Sequence, residues 1–203
     1  MVIPYRDNHF LLEAISYMNK TKKLTTCAIM ITLSVILTLL SKLIPSMPWG
    51  GSVTLASAVP IIIISLIFGF KWGIISGITF SIIQIITGFY PPPTQNFFDF
   101  ILVVLLDYIF AFGVYGIAGL FHKFIMPYKL KIPVSGLIVM LLRYLCHIFS
   151  GILIWGIYAE EGQSILSYSI IYNGSYMIPE TILTVVVLTL LSKFINKIRE
   201  IKS

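Results

Sequence analysis

The sequence predicts an all-α membrane protein, a bundle of six transmembrane helices, and its composition and hydropathy carry that prediction. Of its 203 residues, 58% are hydrophobic and only 11% are charged. A soluble domain averages roughly 45–50% apolar and about 25% charged residues. The apolar residues also form six runs, each near the roughly 17–25 residues that a helix needs to cross a bilayer. These observations exclude a water-soluble globular protein.

The six apolar runs define the predicted spans in chain order. They cover residues 24–44, 53–70, 72–88, 98–121, 132–157 and 173–194. We therefore expect one membrane domain over residues 24–196, after an N-terminal extension, 1–23, and before a short tail, 197–203. The extension has no apolar stretch of the length found in secretory signals, so we expect it to be retained. Met18 is an alternative start.

Basic residues mark one side of the predicted bundle. Lysine and arginine in short loops stay preferentially in the cytoplasm, and one set of loops and both ends hold nearly all of them, at Lys20, Lys22, Lys23, Lys71, Lys123, Lys129, Lys131, Lys193, Lys197, Arg199 and Lys202. Lys42, near the outer end of the first span, breaks the pattern. We expect both the N- and the C-terminus to be cytoplasmic and the chain to cross the membrane several times.

Several function classes are disfavoured by what the sequence contains. The net charge of +6 is spread over termini and loops without a basic face, which argues against nucleic-acid binding. The cysteines, Cys27 and Cys146, are too few and too far apart for a disulfide framework or a zinc site. The sequence has no G-x-x-x-x-G-K-[ST] phosphate loop, and its two halves share no motif that indicates inverted repeats.

Four ionisable side chains lie inside the apolar runs, where each is costly unless it faces protein or water. They are Asp107, Arg143, His147 and Glu180. Arg143 and His147 are four residues apart and share a helix face, which Gly151 and Trp155 continue at the same spacing. We interpret Arg143 as the structural ion-pair partner of Glu180. For His147, an interhelical hydrogen bond is the ordinary alternative to a functional role.

The membrane depths of Asp107 and His147 favour a binding site in the outer half of the membrane. At 1.5 Å of rise per residue, Asp107 lies roughly 14 Å below residue 98 and His147 roughly 15 Å below residue 157. Aromatic and polar residues also fall in or beside the outward loops, at Trp49, Tyr90, Trp155, Tyr168 and Asn173. Such a set suits a flat, cationic, hydrogen-bonding ligand, because aromatic faces attract cations and a carboxylate neutralises them. Membrane-interface belt residues are the alternative for the aromatic side chains.

Three stretches carry a resemblance to a known family. They are Pro48–Leu55 (PWGGSVTL), Leu106–Tyr108 with Gly116–Phe121 (GIAGLF), and His147–Gly151 (HIFSG) followed by Trp155, Tyr168 and Asn173. From about Lys22 to Leu191 the chain resembles the thiamine-specific S components of energy-coupling factor (ECF) vitamin transporters.

The resemblance implies a protein that binds thiamine from outside with high affinity, beneath a lid formed by the loop between the first two spans. It implies no enzymatic activity and no cofactor, with thiamine as the transported ligand and a prokaryotic cytoplasmic membrane as the location. Uptake would need a separate membrane-coupling subunit and two ATPase subunits. In the family, small residues in the first helix dock to the membrane-coupling subunit, and the matching positions here are Ala28 and Thr32.

Carried over residue by residue, the implied thiamine site comprises Trp49, Tyr90, Asp107, Tyr108, His147, Trp155, Tyr168 and Asn173. The family usually has glutamate where Asp107 stands and commonly has tryptophan where Phe80 stands. Phe80 and Gln84, one turn later, are further pocket candidates. A phosphate ester of thiamine or a related precursor remains an alternative ligand. An intramembrane enzyme and a structural subunit or channel remain alternative functions.

Overall fold

The computed structural model describes residues 20–43, 52–94, 96–124 and 130–202, and within these ranges the chain is helical, without strands. Six helices follow one another within the described residues, namely α1 (Lys20–Ser41), α2 (Ala58–Phe68), α3 (Phe70–Gly88), α4 (97–124), α5 (Lys131–Leu153) and α6 (Ile165–Lys202). All except α2 are long and apolar enough to cross a membrane. The all-helical prediction is therefore confirmed for the described residues.

Helix α2 is shorter than the span predicted at 53–70. It has 11 residues, about 16 Å of helix against the roughly 30 Å of a hydrocarbon core. Ala56, with φ 56°, and Gly69, with φ 92°, interrupt helical geometry on either side. Ile61 and Ile62 are fully buried, so this apolar run reflects burial inside the protein rather than contact with lipid along a complete span.

Helix α4 is irregular in the region that matters for the site. An α-helical turn, Phe97–Val103, passes into a π-helical segment, Val104–Phe110, and a short 3₁₀ segment, Val114–Ile117, follows before the helix resumes. Such π-helical insertions widen a helix locally and are frequent at functional sites. Asp107 and Tyr108 lie in the π-helical segment.

The fifth and sixth helices differ from their predicted bounds. Helix α5 ends at Leu153, and Trp155–Tyr158 forms a separate 3₁₀ turn rather than the end of a span reaching 157. The prediction that Trp155 continues the helix face of Arg143, His147 and Gly151 is therefore wrong, because Trp155 lies beyond the end of α5. Helix α6 spans 38 residues instead of 173–194, because tyrosine, serine and basic residues lower the hydropathy at its two ends without breaking the helix.

Helices α3 and α4 meet backbone to backbone through glycines. A Cβ atom placed on Gly116 would lie 2.2 Å from the backbone nitrogen of Ile74 and 2.4 Å from the carbonyl carbon of Gly73. Small residues allow such close approach between membrane helices. The contact holds the irregular α4 against α3 and so fixes one wall of the cavity described below.

We expect Gly116→Ala to destabilise the protein by about 1–3 kcal/mol, because the backbone of α3 cannot yield to the new methyl group. Gly113→Ala is the matched control, since the nearest atom to its Cβ position is 4.0 Å away. Thermal unfolding of both variants in detergent measures the difference. Equal melting temperatures for the two would contradict the close contact.

Candidate functional site

A cavity of about 410 Å³ opens at one end of the bundle. Seven of the eight residues implied by the resemblance line it, namely Tyr90, Asp107, Tyr108, His147, Trp155, Tyr168 and Asn173. The eighth, Trp49, lies outside the described residues. Gln84 also lines the cavity. Residues from α3, α4, α5 and α6, distant in sequence, therefore meet in one place.

Asp107 has three polar partners on α5 and the turn after it. His147 Nδ1 lies 2.9 Å from Oδ1, the Ser150 hydroxyl donates to Oδ2 over 2.6 Å, and the Trp155 indole Nε1–H donates to Oδ2 over 3.1 Å. The side chain of Asp107 remains 17% exposed. The carboxylate is therefore fixed in position while part of it faces the cavity. The similar depth predicted for Asp107 and His147 agrees with this contact.

Behind His147, a chain of polar side chains crosses the bundle. Arg143 Nε donates to His147 Nε2 over 3.2 Å. Its Nη1 donates to Glu180 Oε1 over 2.8 Å and to the Tyr115 hydroxyl over 2.6 Å. Glu180 is fully buried. The ion pair between Arg143 and Glu180 that the sequence suggested is therefore present, and it joins α5 to α6.

The polar chain continues to the segment that precedes α2. Thr54 donates to Glu180 Oε1 over 2.7 Å, and Ser57 donates to the Thr54 hydroxyl over 2.9 Å. The Leu55 backbone N–H donates to the Ser41 hydroxyl at the end of α1 over 2.8 Å. This segment is thus tied both to the buried charges and to α1. Thr54 and Ser57 line the cavity. Threonine and serine are common in such segments, so the sequence alone did not identify them as site residues.

Aromatic side chains form the walls of the cavity. The rings of Tyr90 and Trp155 are 5.5 Å apart between centroids. On α6, the rings of Tyr168 and Tyr172 stack at 5.6 Å, and Tyr172 meets Tyr176 edge to face at 6.1 Å. Sequence reasoning missed Tyr172 and Tyr176. Tyr168, Tyr172 and Tyr176 follow one another at four-residue spacing, which places all three on one helix face and was the signal available.

Tyr108 connects the ends of two helices at the cavity. Its hydroxyl accepts a hydrogen bond from the Tyr90 backbone N–H over 2.9 Å and donates to the Gly88 carbonyl over 3.3 Å. This places the chain after α3, and the exposed ring of Tyr90, beside the cavity. Tyr108 therefore shapes the opening as well as lining it.

One expectation for the cavity needs correction, and one residue of the implied site has its polar atoms already engaged. Phe80 is fully buried and packs edge to face on Phe112, at 5.1 Å between ring centroids, and Phe112 lines the cavity instead. Asn173 lines the cavity, but its own hydrogen bonds are within the protein. Its amide nitrogen already donates to the carbonyls of His147 and Ser169 over 3.1 and 2.9 Å, and the Tyr176 hydroxyl donates to its oxygen over 2.6 Å.

Ala28 and Thr32 are not among the described residues that line this cavity, and they face outward from α1. Both are exposed, whereas Cys27 and Ile31 beside them are buried against the bundle. The Thr32 hydroxyl donates to the Ala28 carbonyl over 2.9 Å. Within the described ranges, no three His, Cys, Asp or Glu side chains are grouped as metal ligands.

Comparisons with known proteins agree over nearly the whole chain. A family model described as thiamine transporter protein (Thia_YuaJ) matches residues 24–200. The thiamine transporter ThiT of Bacillus subtilis (strain 168) is 36% identical over 200 residues, which cover 92% of this chain and 98% of the relative. ThiT of Lacticaseibacillus paracasei is 33% identical over 97 residues, 43% of this chain and 48% of the relative.

The fold also matches a solved structure. ThiT from Listeria monocytogenes superposes with a TM-score of 0.68, covering 87% of this chain and 96% of that chain at 21% sequence identity. At this identity the match shows a shared fold. The family model and the Bacillus relative extend the similarity to the sequence itself.

Proposed function

This chain belongs to the thiamine transporter family, and we propose that it is the S component of an ECF transporter, which captures thiamine with high affinity on the extracellular side. Members of the family are transport proteins, so the chain is not an enzyme. The proposed ligand and the proposed side of capture depend on the chemistry of the cavity and on its place in the bundle.

The charge of the cavity is the observation that carries the proposal. Arg143 and Glu180 are in direct contact and neutralise one another. Asp107 then leaves one uncompensated negative charge on the cavity wall, beside Trp155 and Tyr90. Thiamine carries one fixed positive charge on its thiazolium ring and has two flat rings. Aromatic faces and a carboxylate attract such a cation, and 410 Å³ lies within the roughly 300–1,000 Å³ of small-molecule pockets.

The same charge balance disfavours phosphate esters of thiamine. Arg143 is the cationic side chain among the described residues that line the cavity. Its Nη1 already donates to Glu180 and Tyr115, and its Nε donates to His147. A phosphate group binds best to free, forked arginine donors. We therefore propose free thiamine as the ligand, with its phosphate esters and aminopyrimidine precursors as the weaker alternatives.

The position of the cavity supports capture from outside. It lies at the end of the bundle that holds the last turns of α3 and α5 and the first turns of α6, near Gly88, Gly151 and Tyr168. The opposite end carries Lys71 and Lys131, and basic loops stay preferentially in the cytoplasm. We infer a protein of the cytoplasmic membrane whose cavity opens outward and whose termini are cytoplasmic.

The coupling partners are proposed from what the chain lacks and from α1. The sequence contains no phosphate loop, so energy would come from two ATPase subunits joined through a membrane-coupling subunit. Helix α1 is the least buried of the five long helices. Its outward face, with Ala28 and Thr32, is the proposed docking surface for the membrane-coupling subunit.

We expect the chain alone to bind thiamine without accumulating it. In liposomes that hold only this protein, thiamine should equilibrate or stay outside, with or without ATP. Liposomes that also hold the coupling subunit and both ATPases should concentrate thiamine when ATP is supplied inside. Concentrative uptake by the chain alone would contradict the S-component assignment.

Tryptophan fluorescence tests the binding function itself. Trp155 donates to Asp107 and lies in the cavity, so a bound thiazolium ring should change its emission. We expect a saturable change as thiamine is added to the purified protein. No change at micromolar thiamine would favour the alternative of a structural subunit or channel.

Trp155 should contribute through its ring and through its indole N–H. Trp155→Ala is expected to weaken thiamine binding by about 1–3 kcal/mol, the range for stacking and cation–π contacts out of water. Trp155→Phe keeps a ring and removes the donor to Asp107, so it should lie between the wild type and the alanine variant. Calorimetric titration measures all three. Unchanged affinity in Trp155→Ala would identify Trp155 as an interface belt residue.

A further inference from the structure

The arginine beside a cation-binding cavity needs an explanation, because its charge is of the same sign as the ligand. Arg143 is 6% exposed and lines the cavity. An ion pair with Glu180 explains how the charge is tolerated. It does not explain why the guanidinium Nε is directed at His147 rather than at a carboxylate.

The two contacts of the His147 ring define its hydrogen positions. Nε2 lies 3.2 Å from Arg143 Nε, which always carries a hydrogen, so Nε2 must act as the acceptor. The ring hydrogen is then on Nδ1, which lies 2.9 Å from Asp107 Oδ1 and donates to it. The other tautomer would direct two N–H groups at each other and a lone pair at the carboxylate.

Each neighbouring helix contributes to this arrangement. Asp107 comes from α4, Arg143 from α5 itself, and Glu180 from α6, where it receives a second hydrogen bond from Thr54. The Tyr176 ring, also on α6, packs edge to face on the imidazole, at 6.1 Å between ring centroids. The imidazole is therefore held between a fixed donor and a fixed acceptor.

We propose that Arg143 is a positioning residue for thiamine binding, which holds His147 as the Nδ1–H tautomer so that the imidazole donates to Asp107 and orients its carboxylate toward the ligand. Glu180 holds the guanidinium in place for this task. The effect on thiamine rests on the function proposed above, whereas the tautomer of His147 does not depend on any ligand.

Nitrogen NMR on histidine-labelled protein tests the tautomer directly. The chain has three histidines, and a His147→Asn sample identifies the resonances of His147. Ring nitrogens with and without hydrogen resonate far apart, so the spectrum distinguishes the forms. We expect Nδ1 with hydrogen and Nε2 without it in the ligand-free wild type. A hydrogen on Nε2 would overturn the proposal.

A paired variant tests the role of Arg143 without stranding a buried charge. Arg143→Met with Glu180→Gln removes both charges and leaves an oxygen for the Thr54 hydroxyl, and such replacements of buried pairs are often neutral for stability. We expect a second form of His147 in the spectrum and thiamine affinity lower by about tenfold, the scale of a lost hydrogen bond in a charged network. An unchanged spectrum and affinity would overturn the proposal.

Tyr115→Phe is the matched control. The Tyr115 hydroxyl also accepts from Arg143, but it is fully buried, and the hydrogen bonds of the His147 ring go to Arg143 and Asp107 instead. This variant should keep the wild-type tautomer and affinity, and an equal loss of affinity would contradict a specific role of the Nε contact. Thiamine binding by the wild type is measured separately. If the wild type does not bind thiamine but His147 has the expected tautomer, the proposed function fails while the tautomer assignment remains.

Discussion

Replacement of Asp107 by asparagine should lower thiamine affinity at least tenfold. The change keeps the size of the side chain and removes the charge that faces the cavity. Loss of one partner in a buried, hydrogen-bonded charge pair typically costs about 2–5 kcal/mol of binding free energy. The amide nitrogen would also face one of the donors that now point at the carboxylate, namely His147, Ser150 or Trp155. Calorimetric titration of thiamine into purified protein measures the effect.

Two further variants separate charge from geometry at this position. Ser150→Ala removes one donor to Asp107 and keeps the charge, so its effect should be much smaller than that of Asp107→Asn. Asp107→Glu restores the residue usual in the family and should hold or improve thiamine affinity where the surrounding helices admit the longer side chain. If Asp107 served only to pair with His147, Asp107→Asn would lower the melting temperature of the ligand-free protein and leave affinity unchanged.

Arg143→Ala alone should destabilise the protein by about 3–5 kcal/mol, because it leaves a buried carboxylate without its cation. Glu180 is fully buried, and its Oε2 already has no hydrogen-bond partner among the described residues. The variant should lose its monodisperse peak in size-exclusion chromatography at temperatures that the wild type tolerates. Thermal unfolding in detergent measures the shift in melting temperature.

The paired change at Arg143 and Glu180 provides the control for this loss. Removal of both charges leaves no unpaired ion, so its melting temperature should stay near that of the wild type. Equal melting temperatures for the single and the paired variants would contradict this account. They would show that leaving the Glu180 carboxylate buried without its cation does not lower the stability of the protein.

Helical regularity explains which features could be predicted from the sequence. Counting at a fixed rise per residue places Asp107 and His147 at similar depths. The structure has them in contact, although the helix of His147 ends at Leu153 and Asp107 lies in a π-helical segment. Costly charges in apolar runs pair with one another, and this suggested the contact between Arg143 and Glu180.

Departures from regular helices explain what could not be predicted. The π-helical segment around Asp107 and the break between α5 and Trp155 have no hydropathy signal. Apolar composition also cannot distinguish burial in protein from exposure to lipid, so residues 53–70 are predicted as a full span. Phe80 is a pocket candidate because the resembled family commonly has tryptophan at that position. Both are instead packed in the protein core.

Equilibrium dialysis of the purified wild-type chain against thiamine and, separately, thiamine monophosphate tests the proposed function most directly. Among the described residues, the cavity wall has one uncompensated negative charge, at Asp107, and its arginine already donates to Glu180, Tyr115 and His147. The cavity should therefore bind thiamine saturably, with one molecule per chain. The monophosphate should bind more weakly by about tenfold or more, the scale of one unfavourable charge contact. No saturable retention of thiamine at micromolar concentration, or tighter binding of the monophosphate, would contradict the assignment.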